Sequence, residues 1–99
     1  MEEDFLNIII SLEDYKNLQK SKPLRYYTRL TYAVEGYKVN YLIPNYLVDT
    51  FLEKGGDEEV LISAKKYTIV ACGEKNCSIE TNDEVIKDFL RTRVSLLRR

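Results

Sequence analysis

Residues 24–43, LRYYTRLTYAVEGYKVNYLI, decide the fold. Two runs rich in Tyr, Thr, Val and Ile flank Glu35–Gly36, the pattern of two β-strands closed by a tight turn. A two-residue turn pairs Val34 with Tyr37, Tyr32 with Val39, Leu30 with Tyr41 and Thr28 with Ile43. Strand side chains alternate with period two, so these pairs share one face. The other face carries Arg25, Tyr27, Arg29, Thr31, Ala33, Lys38, Asn40 and Leu42. A slip of one residue mixes the two sets, and the pattern therefore specifies the register. Glu is not the favoured partner of Gly in such turns, which leaves the turn type open.

Upstream of this hairpin, Phe5–Ile10 reads as a short buried strand, and Ser11 opens a helix. Ser11 is a good N-cap, and Asp14 stands at the reciprocal capping distance. Leu12, Tyr15 and either Leu18 or Gln19 mark the inward face of that helix, which should stop before Pro23. Downstream, Pro44 ends the second strand of the hairpin, and a helix capped by Asn45 follows, with Leu47, Val48, Phe51 and Leu52 as its stripe. Gly55 is its natural stop. Val60–Cys72 reads as a strand whose phase shifts at a bulge or turn near Lys65–Lys66. GEKN (73–76) is a turn, Cys77–Glu80 a short return strand, and Thr81–Glu84 a capping box for a last helix. Val85, Ile86, Phe89, Leu90, Val94 and Leu97 form its stripe.

These elements predict one α+β domain over residues 1–99, an antiparallel sheet with about three helices. Their order is β-α-β-β-α-β, then a short hairpin return and a C-terminal helix. That string matches either a ferredoxin-like fold or an irregular variant of it.

Composition narrows the chemistry. The 99 residues include no His and no Trp but eight Tyr, and the formal charge is −1. Without imidazole the chain lacks the usual general base at neutral pH and the commonest metal ligand. It carries no P-loop, no dinucleotide fingerprint, no nucleophile elbow and no zinc ligand set. The run Gly55-Gly56-Asp57-Glu58-Glu59 is similar to the GG(D/E)EF signature of diguanylate cyclases, but Glu59 stands where that signature has Phe. No catalytic residue, cofactor or metal is expected, and the chain reads as a non-enzyme. The N-terminal MEEDFLNIII lacks the basic region of a secretory signal, and no stretch has the roughly 18 apolar residues of a membrane helix. A soluble, intracellular protein without membrane attachment is the expectation.

Two basic groups are the candidate nucleic-acid or partner surface. Arg25, Tyr27, Arg29 and Lys38 project from the polar face of the hairpin, where cations and rings can hold phosphates and stack bases. Arg91, Arg98 and Arg99 lie near the C-terminus, where they either clamp phosphates or complement the helix dipole. Cys72 and Cys77 face each other across the GEKN turn, within disulfide reach if the strands pair, with free thiols as the alternative.

In general character, an Ile-, Lys- and Tyr-rich chain with RYYTRLTYAVEGYKVNYLIP at 25–44 resembles the small proteins of filamentous and rod-shaped archaeal viruses, the lipothrixviruses and rudiviruses. The resemblance implies a heat-stable accessory protein acting in the host cytoplasm. Some such proteins bind DNA, and others inhibit host defence by binding its effector complexes. The expected function is thus a protein-interaction module for a host or viral protein, with a homodimer as one form. The alternative is a nucleic-acid-binding protein using the basic, aromatic sheet face and the C-terminal arginines.

Overall fold

The computed structural model describes residues 5–97. Five strands, β1 (Leu6–Ser11), β2 (Tyr27–Val34), β3 (Tyr37–Pro44), β4 (Thr68–Cys72) and β5 (Asn76–Thr81), form one sheet in the order β1-β5-β4-β3-β2. Every neighbouring pair is antiparallel. Helices α1 (Leu12–Gln19) and α4 (Glu84–Leu97) pack on one face, while α2 (Val48–Glu53) and α3 (Glu58–Ser63) pack on the other. The protein is α+β, with the sheet as the middle of three layers.

The β2–β3 hairpin adopts the register that alternation demands, with Val34 opposite Tyr37, Tyr32 opposite Val39, Leu30 opposite Tyr41 and Thr28 opposite Ile43. Glu35 (φ 46°) and Gly36 (φ 85°) both take left-handed backbone, as the strand twist requires of a two-residue turn. Gly36 does so freely, whereas Glu35 carries a Cβ against its carbonyl. Ser11 caps α1 by accepting the Asp14 N–H at 3.0 Å. Pro23 lies in the first turn of a short 3-10 helix over Lys22–Tyr26.

The ferredoxin-like alternative does not hold. Such a sheet places its first strand in the interior, between the third and fourth. Here the tight β4–β5 hairpin occupies the middle of the sheet, and β1 is left at the edge against β5. The strand expected from Val60 also begins only at Thr68, because Glu58–Ser63 is helical. Gly55 and Gly56, both at positive φ, end α2 with a bond from the Gly56 N–H to the Phe51 carbonyl. Asp57 then caps α3 by accepting the Glu59 N–H at 3.0 Å. Asn45 does not cap α2; its Oδ1 instead accepts from the Thr28 hydroxyl at 2.6 Å.

Two clusters fill the two interfaces. Tyr15 and Leu18 of α1 and Ile86 and Leu90 of α4 meet Ile10, Leu42, Val70 and Ile79. On the opposite face Phe51 and Leu61 meet Ile43 and Tyr67. Burial raises the Tyr27 and Tyr41 phenols well above their ordinary range, reinforced by their hydrogen bonds to Asp83 and Glu58. Burial, with the charges of Glu58 and Glu80, pushes Tyr67 up to about 12.

These shifts give the stability a pH limit. The folded state keeps phenolic protons that the unfolded chain releases near pH 10, so this stabilisation is complete below about pH 10 and lost above it. Absorbance titration at alkaline pH should show a late, cooperative group of tyrosines that ionises together with loss of the circular dichroism signal. Glu35→Asn should stabilise the fold by about 1 kcal/mol in urea melts, because Asn accepts the left-handed turn position at lower cost.

Candidate functional site

Helix α1 spans eight residues and is about 12 Å long, so it covers only part of the sheet face beneath it. Tyr15 and Leu18 point into the core. The ends of β2 and β3 nearest the Glu35–Gly36 turn stay open, and a groove of about 510 Å³ runs between them and α1. The Cys72-Gly73-Glu74 end of the β4–β5 hairpin closes one side.

Three cations reach this groove from three elements: Lys16 of α1, Arg29 of β2 and Lys38 of β3. All three are exposed, and none has an ion-pair partner among the described residues. Elsewhere three cations do have carboxylate partners. Lys66 lies 3.6 Å from Asp83, Lys87 lies 2.9 Å from Glu84, and Arg91 lies 3.6 Å from Asp88. Three cations against the single carboxylate of Glu74 leave a net positive potential that a concave, low-dielectric wall focuses.

The floor between the cations is polar and internally tied. Thr31, opposite Asn40 in the ladder, donates its hydroxyl to Asn40 Oδ1 at 2.7 Å. Asn40 Nδ2 in turn donates to the Tyr15 hydroxyl at 3.4 Å. Burial pushes the Tyr15 phenol up, against smaller opposing pulls from Gln19, the Arg29 guanidinium and Asn40. The phenol therefore stays neutral and hydrogen-bonding at physiological pH. Cations at the rim with amide and hydroxyl groups beneath them are suited to hold carboxylates or phosphates.

Of the residues singled out in the sequence, the groove unites Arg29 and Lys38. Arg25 is exposed on the 3-10 turn and does not line it. Tyr27 is no stacking platform: it is half-buried, and its hydroxyl donates to Asp83 Oδ2 at 2.6 Å. Arg91 belongs to α4 and pairs within that helix. Arg98 and Arg99 lie outside the described residues. The polar hairpin face is not open throughout, since Asn40 and Leu42 are buried beneath the α1–α4 layer. Lys16 is not singled out by the sequence, and Gln19, the alternative to Leu18 on the inward face of α1, lines the groove while Leu18 enters the core. Their signal is their position beside Tyr15 and Leu18, on the flank of the inward stripe of α1.

Cys72 and Cys77 face each other in the β4–β5 ladder with Cα atoms 4.1 Å apart and are joined as a disulfide. The Gly73 N–H to Asn76 carbonyl bond (2.9 Å) makes the Cys pair the non-hydrogen-bonded one, where side chains stand closest. The bridge anchors the turn that forms one wall of the groove. Among the described residues no group of three or more His, Cys, Asp or Glu is arranged to hold a metal ion. No described helix is long and apolar enough to cross a membrane.

Neither a protein-family model, nor a curated protein, nor a solved structure matches this chain. The groove must therefore be read from its own chemistry. Closing so short a loop should contribute about 2 kcal/mol. Urea melts with and without reductant should differ by that amount, and a Cys72→Ser, Cys77→Ser double variant should match the reduced protein.

Proposed function

We propose that this protein is a non-enzymatic binding module that takes an acidic segment of a partner protein into the groove between α1 and the β2–β3 hairpin. The observation that carries this reading is the convergence of Lys16, Arg29 and Lys38 without carboxylate partners among the described residues. Unpaired cations held close together weaken a fold, and an anionic ligand relieves that repulsion.

Two features favour a short polypeptide segment over a nucleic acid. Among the described side chains, the only aromatic lining the groove is Tyr15, which is buried in the core and offers no free ring to a base. Glu74 stands in the wall and would repel a continuous phosphate backbone. A short run of Asp or Glu side chains, hydrogen-bonding to hydroxyls and amides, suits such a groove better. In the setting implied by the viral resemblance, the partner is a host or viral protein.

The reading is tested by fluorescence anisotropy with a labelled Asp/Glu-rich peptide and a labelled single-stranded DNA, at about 50 and 200 mM salt. The expected result is peptide binding that weakens with salt and falls at least about tenfold in Arg29→Glu and Lys38→Glu. Tighter binding of DNA, with a steep salt slope, would replace this reading with nucleic-acid recognition. No binding of either would remove the groove as a recognition site.

A further inference from the structure

We infer that the β1 edge of the sheet is a self-association surface whose occupant is a second copy of this chain, paired antiparallel through Ile9. The inference is independent of the groove, which lies toward the opposite edge of the sheet.

β1, LNIIIS, pairs with β5 along its length and with no other described strand. Natural proteins blunt such edges with charges, prolines or bulges, and β1 has no charge and no proline. The opposite edge, β2, is guarded by Arg29. Ile9 is 69% exposed at the centre of this unguarded strand.

The hydrogen-bond pattern says which backbone groups are free to pair. The Leu12 N–H donates to the Lys75 carbonyl at 2.8 Å, so the even-numbered residues of this stretch aim their backbone groups at β5. Gly73 N–H donating to the Asn76 carbonyl fixes the same phase from the other side of β5. Asn7 and Ile9 therefore direct both their N–H and C=O groups outward, and Ser11 directs its N–H outward while its carbonyl, as the N-cap of α1, turns into that helix.

Continuing the sheet across a two-fold axis requires opposed residues to share a face, which sets the axis on a residue rather than between two. With the axis at Ile9, its outward groups meet those of the partner's Ile9, and the Ser11 N–H meets the carbonyl of the partner's Asn7. The side chains agree with this register. Ile9 ends a row of uncharged residues (Ile9, Ser78, Ala71, Val39, Tyr32) that crosses all five strands on the α2–α3 face. A second copy joins two such rows end to end and gives Ile9 an apolar neighbour. On the other face, Ile8 meets the partner's Ile10 and extends the core. With no charge on β1, pairing the strand with itself opposes no like charges, so self-pairing carries no electrostatic cost within the strand.

The test is light scattering coupled to size-exclusion chromatography across a wide concentration range, with amide hydrogen exchange on the same samples. The expected result is a concentration-dependent dimer whose Ile9 amide becomes protected as the dimer forms. Ile9→Pro removes the outward donor without touching the ladder to β5, and Ile9→Lys sets two charges against each other. Both should be monomeric, with unchanged circular dichroism and unchanged peptide binding in the groove. A wild type that stays monomeric, with an unprotected Ile9 amide, would overturn the inference and reserve the edge for a foreign strand. A dimer that survives both substitutions would overturn it by placing the interface elsewhere.

Discussion

The carboxylate of Asp83 is the constraint on which the rest of the structure depends. It is fully buried, and a charge in that position is tolerable only when surrounded by donors. Asp83 accepts the Val85 N–H at 2.9 Å and so caps α4, while the Tyr27 hydroxyl and Lys66 approach from β2 and the α3–β4 turn. Its own N–H donates to Thr81 Oγ1, which also meets Thr68 Oγ1 at 2.7 Å and donates to the Tyr67 carbonyl. Next to it, Asn82 ties the Tyr67 N–H and the Ile62 carbonyl. One polar knot thus joins both faces of the sheet. It also accounts for Tyr27, whose place on the basic face of the hairpin suggested recognition and whose hydroxyl instead serves this knot.

The β2–β3 hairpin was legible because period-two alternation and a two-residue turn leave one consistent register, and the groove inherits that clarity: Arg29 and Lys38 share a face by parity alone. Helix α1 was legible from Ser11 and Pro23. The last helix was placed correctly, but its cap was assigned to Thr81 when Asp83 performs it, because two good capping residues lie two positions apart. Helix α3 was misread for a physical reason. Six residues make fewer than two turns, too few to display a 3.6-residue period, and Val60 and Ile62 imitate strand alternation. Strand order depends on which distant edge the β4–β5 hairpin fills, and no local pattern records that. Lys16 went unnoticed for the same reason, since its relation to Arg29 exists only once α1 lies across the sheet.

An acidic segment lies on the face of the sheet opposite the groove. The segment that builds α2 and α3 carries Asp49, Glu53, Asp57, Glu58 and Glu59 against Lys54, while the groove on the other side of the sheet gathers its cations. A net charge near zero thus coexists with a local basic patch, which orients an approaching charged partner even where long-range attraction is weak. The disulfide holds the hairpin turn that walls the groove, so covalent and electrostatic features meet at one place.

The most direct test of this account is a heteronuclear NMR titration of the protein with an Asp/Glu-rich peptide, read residue by residue. The account predicts shifts confined to Lys16–Gln19, Arg29–Thr31, Lys38–Asn40 and the Gly73–Glu74 turn. Shifts centred instead on the Tyr32–Val39–Ala71 face, or none at saturating peptide, would contradict it.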